Sequence, residues 1–343
     1  MKAILIQDYV ADPSSLIPSE VPTPRPHADR PLLVRISHCS PQHADILHAQ
    51  GKHQNNNPKR GWCHPPFILG YDFAGVVDSI SPSYTGNLRI GDRVFGASIG
   101  AFAEYVAVKA EAVRKVPPRL SSEAACAMEG QAVSYAAVVK VAKVLPGDTV
   151  LVSGASGGLG SACCTVAKAL GAKVIALAGD EGKAKMMRRD MGVNAVVVVD
   201  EGGKLVDEVM GLTKGRGVDV VLDNTGMVND AIRCLAYVGR IVVLGFAARK
   251  GVMESVKMNK LLLKSATVTG YRFGEGGRRD PEVLEEIWKG YLEMMESGKL
   301  KAMLYGKYEG LENIGKALGD LAARKVYGKV VVKVADLEDK AKL

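Results

Sequence analysis

The hexapeptide Ala155-Ser156-Gly157-Gly158-Leu159-Gly160 has the residue types that let a backbone approach a diphosphate. It follows the apolar run Val150-Leu151-Val152 and opens a helical stretch from Gly160 to Leu170. Its amide N–H groups therefore gather at a helix start, where the dipole favours negative charge. Gly157 and Gly160 stand where a side chain would block a pyrophosphate or the helix–strand contact, and Ala155 takes the place of the usual first glycine. The chemistry served by such a turn is the binding of a nicotinamide dinucleotide. The choice between phosphorylated and unphosphorylated forms is written at the end of the next strand. There the apolar run ends on Ala178 without a carboxylate at the tip, and Lys183 follows five residues on. This predicts NADPH, with Lys183 on the 2′-phosphate, and the nearby Asp180 keeps NADH open as the alternative.

The elements that must hold this turn are visible in the patterning. From Ser121 onward, helical and apolar segments alternate. Helices run to Ala127 and from Ser134 to Val144, then a strand Thr149 to Ser153, the helix after the turn, and a strand Lys173 to Leu177. Further apolar runs follow at Ala195 to Val199, Val218 to Leu222 and Arg240 to Leu244. Such runs between helices predict α/β architecture, a doubly wound parallel sheet covered on both faces. The first 120 residues or so read differently, as short strands at Leu32 to Ile36, Phe73 to Val77 and Phe102 to Val108, broken by Pro and Gly clusters. The polar, proline-bearing stretch from His53 to Pro66 reads as a loop over a cleft. After Tyr271 come a charged turn from Gly274 to Asp280, an amphipathic helix from Glu282 to Glu296 and a final strand from Lys329 to Val334. The expected division is a β-rich domain of 1–121 with 272–343, and a dinucleotide domain of 122–271.

Composition narrows the function classes. A chain of 343 residues, 47% hydrophobic and 24% charged, can bury two cores without staples. The net charge of +8 is spread singly and in pairs such as Arg188-Arg189, so neither a nucleic acid nor a membrane is expected as partner. The excess charge suits the steering of an anionic ligand, dinucleotide or CoA thioester, toward its cleft. Six cysteines without regular spacing make no disulfide framework and fit a reducing compartment. The segment from Met1 to Ile6 turns polar at Gln7-Asp8, too soon for a signal peptide, and no apolar run is long enough to span a bilayer. Ala341-Lys342-Leu343 differs from the peroxisomal address Ser-Lys-Leu by one small-for-small exchange, so recognition by a peroxisomal import receptor is expected, with the cytoplasm as the alternative.

A longer series of motifs carries a family resemblance. In order these are Ala44-Asp45-Ile46, Gln50-Gly51-Lys52, Gly70-Tyr71-Asp72-Phe73-Ala74-Gly75-Val76-Val77, Gly91-Asp92-Arg93-Val94-Phe95 and Phe102-Ala103-Glu104-Tyr105-Val106. After the glycine turn come Gly217 to Asp223, Gly239 to Phe246 and Gly328-Lys329-Val330-Val331. In this order and spacing the chain resembles the zinc-free quinone oxidoreductase branch of the medium-chain dehydrogenase/reductase superfamily. The resemblance implies a Rossmann domain inserted into a GroES-like catalytic domain built from both chain ends, with the active site in the cleft between them. Zinc-dependent relatives place metal ligands at positions that look like Gln42 and Tyr71-Asp72. An amide and a phenol are poor zinc ligands, and the cysteine lobe of structural zinc is missing from Gly96 to Gly100. Cys39, His43, His48, His53, Cys63 and His64 could imitate a cluster, but no pair has recognised ligand spacing, so no metal is expected.

The resemblance leaves hydride transfer to a quinone or an α,β-unsaturated carbonyl as the expected reaction, with a peroxisomal 2-enoyl-thioester reductase as a variant. A non-catalytic NADPH-binding protein is the alternative from another class. Gln42, where relatives often carry Asn, could donate its amide hydrogens to the acceptor carbonyl. His53 takes the place of a tyrosine in similar enoyl-thioester reductases and could supply the proton, and Tyr71 is the second candidate. Either could instead be passive, with solvent as the acid. For the nicotinamide end the resemblance suggests Asn224, Thr225, Phe246 and Lys329. Val133 before Ser134-Tyr135 replaces a threonine common in relatives and removes a hydroxyl contact. A homodimer is expected, formed through the apolar run Val238 to Ala247 with Ser265 to Gly270.

Overall fold

The structure, a computed structural model, describes residues 1–59, 61–199, 204–246 and 254–337. Ala247 and the tripeptide Ala341-Lys342-Leu343 lie outside the described residues. The chain forms two compact units, Met1–Gly130 with Ala302–Leu343, and Gln131–Lys301. Both expected boundaries are displaced, for a reason visible in the packing. Helix Ser122–Glu129 lies against strands of the first unit, and helix Pro281–Glu296 packs in the second, where Tyr291 meets Tyr135 at 5.5 Å between ring centroids. The chain thus crosses back later than its change of periodicity suggests.

In the first unit, β1 (Leu32–Ser40), β2 (Asp72–Ile80), β3 (Arg93–Ala97) and β5 (Val113–Lys115) are antiparallel neighbours in that order, and β4 (Tyr105–Val108) also pairs with β1. The short strand Val332–Lys333 pairs antiparallel with the other end of β1. The apolar alternation is satisfied by a core of Ile4, Leu32, Val34, Ile36, Phe73, Val94 and Phe102, with Leu318 from the carboxyl-terminal segment. Helix α1 (His43–Ala49) leaves the end of β1 directly, and α2 (Ser122–Glu129), capped by the Ser121 hydroxyl, packs across β1, β2 and β3. The expected strand from Lys329 to Val334 is cut to Val332–Lys333, because the Lys329 amide and carbonyl bond to Met303 and Tyr305, and the Val330 carbonyl accepts from the Ser40 hydroxyl.

The second unit is a parallel sheet in the order β8 (Ala195–Val198), β7 (Lys173–Ala178), β6 (Thr149–Val152), β9 (Val218–Asp223), β10 (Leu235–Val243) and β11 (Thr267–Gly270). Its strand order reverses at β6, the switch point where open α/β sheets bind ligands beyond their carboxyl ends. Leu151, Ile175, Leu177, Val209, Val221 and Ile241 form one of its cores. Two helical expectations are corrected. Ser134 to Val144 is a short α-helix, Ala132–Ala136, that loosens into π geometry over Ala137–Val141. Gly274 to Asp280, expected as a turn, lies almost entirely within helix Phe273–Arg279, where Glu275 pairs with Arg278 and Arg279 one turn on. Those i,i+3 and i,i+4 pairs favour helix despite the glycines.

Candidate active site

In the first unit the register of three strands converges on one carboxylate. Ser40 at the end of β1 lies opposite Asp72 at the start of β2, and Val332 opposite Cys39, so Gln42 and Lys329 both arrive beside Asp72. Gln42 Nε2 donates to Asp72 Oδ1 at 3.0 Å, and Lys329 Nζ donates to Asp72 Oδ2 at 2.8 Å. The Lys329 and Asp72 side chains are only 7% and 2% exposed, so this is a buried ion pair. Burial pulls the Lys329 ammonium down, but Asp72 outweighs it and leaves Lys329 above its ordinary value. Glu129, at the end of α2, is buried beside the pair. Burial and then the Asp72 charge push its carboxyl well above the usual range. Asp45 accepts the Gln42 backbone N–H at 2.8 Å and fixes the start of α1. Lys329, expected at the nicotinamide end, is thus engaged by Asp72 within the first unit.

Tyr71 and His53 are brought together by His48, which the sequence marked only as one of six residues that could imitate a metal cluster. His48, on the last turn of α1, is fully buried, and its Nε2 lies 2.9 Å from the Tyr71 hydroxyl. His53 stacks on the His48 ring with 4.0 Å between centroids, and Phe67 meets it edge-on. Burial and then the neighbouring His53 lower His48 to about 4, so it is neutral at working pH. The His53 Nδ1 accepts the Asn55 N–H at 3.2 Å, a bond that uses the lone pair an imidazolium lacks. Nothing in residue type alone marks His48. Its i+6 spacing from Gln42 on one short helix was the available signal, and its partner Tyr71 is far away in sequence.

This donor set does not suit a divalent cation at the positions where zinc-dependent relatives place one. The Gln42 amide turns its N–H₂ toward Asp72, both Asp72 oxygens are taken, and a buried ammonium stands beside them. Among the described residues no three His, Cys, Asp or Glu side chains gather as a metal site.

In the second unit the glycine turn has the expected context, joining β6 to α3 (Gly158–Ala169). Gly157 is the N-cap of α3 with no side-chain cap, so the first amides of the helix have no side-chain acceptor there. A Cβ on Gly157 would meet only the Gly154 carbonyl, at 3.5 Å, whereas one on Gly160 would come within 2.2 Å of that oxygen. The two glycines therefore differ, Gly160 closing the turn on itself and Gly157 tolerating a Cβ at ordinary contact distance. Ala155 is buried, Ser156 half-buried, and Leu159 partly exposed. The strand ends beside the turn are laced by Asp223, which accepts from the Ser153 and Thr225 hydroxyls and from the Thr225 and Gly226 amides. Asn224 donates to the Ser153 carbonyl, and its own Oδ1 is a buried acceptor without a partner among the described residues. Phe246 is exposed beyond β10. Asp180 caps α4 (Glu181–Met186) by accepting the Lys183 amide at 2.8 Å, and its other oxygen is 3.7 Å from Lys183 Nζ. The glycine turn, the helix start without a side-chain cap and the Asn224 acceptor, unpartnered among the described residues, fit a dinucleotide.

Comparison with known proteins places these features. Residues 158–296 match the family model described as zinc-binding dehydrogenase, and residues 28–118 the alcohol dehydrogenase GroES-like domain. The quinone oxidoreductase-like protein 2 homolog of Nematostella vectensis is 32% identical over 87% of this chain and 80% of its own length. The crystal structure of a probable oxidoreductase from Mycobacterium abscessus is 31% identical, with a TM-score of 0.85 over 97% of this chain and 98% of that one. The structure of Escherichia coli quinone oxidoreductase complexed with NADPH is 25% identical, with a TM-score of 0.82 over 97% of this chain and 100% of that one. With its Rossmann unit set between the two segments of a GroES-like unit, the chain belongs to the quinone oxidoreductase branch of the medium-chain dehydrogenase/reductase superfamily.

Proposed function

We propose that the protein is an NADPH-dependent oxidoreductase that delivers hydride to a quinone or an α,β-unsaturated carbonyl without a metal. The observation that carries the reading is Gly157, a helix start without a side-chain cap where, among the described residues, an added Cβ would make one ordinary contact, with the Gly154 carbonyl. Binding of NADPH is supported by the Escherichia coli relative complexed with it. When bound, the reduced nicotinamide supplies the hydride, and the protein supplies position and charge. Ala155, Ser156, Gly157, Gly158, Leu159 and Gly160 would hold the pyrophosphate, with Asn224, Thr225 and Phe246 toward the nicotinamide. Gln42, with one amide hydrogen fixed on Asp72, has a second to offer a carbonyl oxygen as charge develops there. Lys329 orients Gln42 through Asp72, and the acid belongs to the Tyr71–His48–His53 group. The test is NADPH consumption against a panel of quinones, 2-alkenals, enones and enoyl-CoA thioesters, since a CoA ester is the variant the basic charge accommodates.

Cofactor choice is assigned to Lys183, because Asp180 is occupied in capping α4 and pairing with that lysine. Lys183→Ala is expected to raise the KM for NADPH by about tenfold or more, the size of one charge-assisted hydrogen bond, and to leave NADH unchanged. Equal losses with both cofactors would contradict the assignment.

A homodimer through β11 is proposed as well. This edge strand is exposed throughout, and Tyr237, Val238, Met258, Leu262 and Leu263 near it are large, exposed and apolar. An unpaired edge with such a patch invites a second copy. Light scattering should give twice the chain mass, and Leu262→Glu with Leu263→Glu should halve it; a wild-type monomer at micromolar concentration would exclude the assembly.

A further inference from the structure

We propose that His48 holds Tyr71 as the proton donor, its Nε2–H donating to the phenol oxygen so that the Tyr71 hydrogen is free for the acceptor. The inference rests on the reductase reading above and selects one acid within the same group. His48 is fully buried with Nε2 at 2.9 Å from the Tyr71 hydroxyl, and its buried Nδ1 has no hydrogen-bonding partner among the described residues. A neutral imidazole carries one ring hydrogen, on one nitrogen or the other. If it sat on Nδ1, a buried N–H would be orphaned, and orphaned N–H groups are rarer in native structures than orphaned lone pairs. The hydrogen therefore sits on Nε2, and Nδ1 keeps a bare lone pair.

That tautomer decides which way the Tyr71 hydroxyl faces. Its oxygen accepts from His48, so it cannot at the same time donate to it. Burial pushes the phenol up, and the neighbouring Asn55 side chain pulls it back toward ionisation. A donor held on the phenol oxygen stabilises the anion left when the proton departs. As the acceptor receives hydride at its β-carbon, the C=C electron pair moves toward the carbonyl, the Tyr71 O–H bond breaks and its proton joins the product. The phenolate stays on the His48 Nε2–H until water reprotonates it. The same transfer to a quinone places the proton on oxygen. His53 stacks on the face of His48 and accepts from Asn55 through Nδ1, so it screens the pair without being its acid. The titratable groups acting on the pair are His53, Cys63 and Asp45.

The test joins a resting-state measurement with turnover. Nitrogen-15 NMR of the whole protein, with the His48 signals assigned by their loss in His48→Gln, should show Nε2 protonated and Nδ1 bare. Tyr71→Phe should lower kcat by about 100-fold with the KM for NADPH within about twofold, in the range of general-acid catalysis. His48→Leu should lower kcat by about tenfold or more, and His48→Gln, whose amide can donate from nearly the same place, should recover most of it. A hydrogen on Nδ1, or Tyr71→Phe turning over within about twofold of wild type, overturns the proposal. If wild type reduces no acceptor, the reductase reading fails and the tautomer alone decides the hydrogen-bond assignment.

Discussion

Lys329→Met should destabilise the protein by about 3–5 kcal/mol, because it strips the buried Asp72 of its cation and leaves a carboxylate charged in low dielectric. Asp72 is 2% exposed, its remaining donor is the neutral Gln42 amide, and the neighbouring Glu129 carries positive charge in neither of its forms. A loss of that size is a large part of the ~5–15 kcal/mol that holds a domain folded. The companion variant separates charge from packing. Asp72→Leu with Lys329→Met removes both ions and should recover much of the loss, since apolar replacement of a buried pair is often close to neutral. Urea unfolding of both single variants and the double gives the coupling directly. A cost below about 1 kcal/mol for Lys329→Met would mean that the ammonium is hydrated rather than paired. The double variant should be folded yet slow, because Gln42 loses the acceptor that orients its amide.

Gly157→Ala should weaken NADPH binding by about 10–100-fold while leaving the fold intact, and Gly160→Ala should do damage of the opposite kind. Gly157 has φ −81° and ψ 174°, backbone that any residue adopts, and its added methyl would make ordinary contact with Gly154 alone. The methyl would stand before the uncapped amides of α3, where one lost charge-assisted hydrogen bond is worth about 1.5–3 kcal/mol. At Gly160 the methyl would meet the Gly154 oxygen at 2.2 Å and the Ala155 Cα at 2.7 Å, so the turn itself must open. Overpacking of this sort costs about 1–3 kcal/mol of stability. Thermal unfolding without cofactor and fluorescence titration with NADPH distinguish the two outcomes. Equal behaviour of the two variants would mean that the turn serves packing alone.

The second unit was legible from sequence because its signals are local. The turn, the strand before it and the helix after it lie within 22 residues or so, and apolar runs such as Val218 to Leu222 can be little else than buried strands. Its boundaries were less legible, since whether Ser122–Glu129 or Pro281–Glu296 belongs to one unit or the other depends on what each packs against. The same holds at the candidate site. Gln42 and Tyr71 were found through motif positions, but Asp72, Glu129 and Lys329 form a network only through strand register between segments more than 50 residues apart. The pairing of His48 with Tyr71 was hidden for the same reason, being given by a neighbour rather than by a motif. Gly274 to Asp280 failed locally, where glycine content suggested a turn and ion pairs on Glu275 favoured a helix.

The central claim is metal-independent reduction of a conjugated acceptor by NADPH, and steady-state consumption of NADPH by chelator-treated protein across the acceptor panel tests it most directly. Turnover with at least one quinone, 2-alkenal, enone or enoyl-CoA thioester, faster with NADPH than with NADH and unchanged by added zinc, is the predicted result. Tight NADPH binding with no turnover on any acceptor would contradict it and identify the chain as a cofactor-binding protein without catalysis.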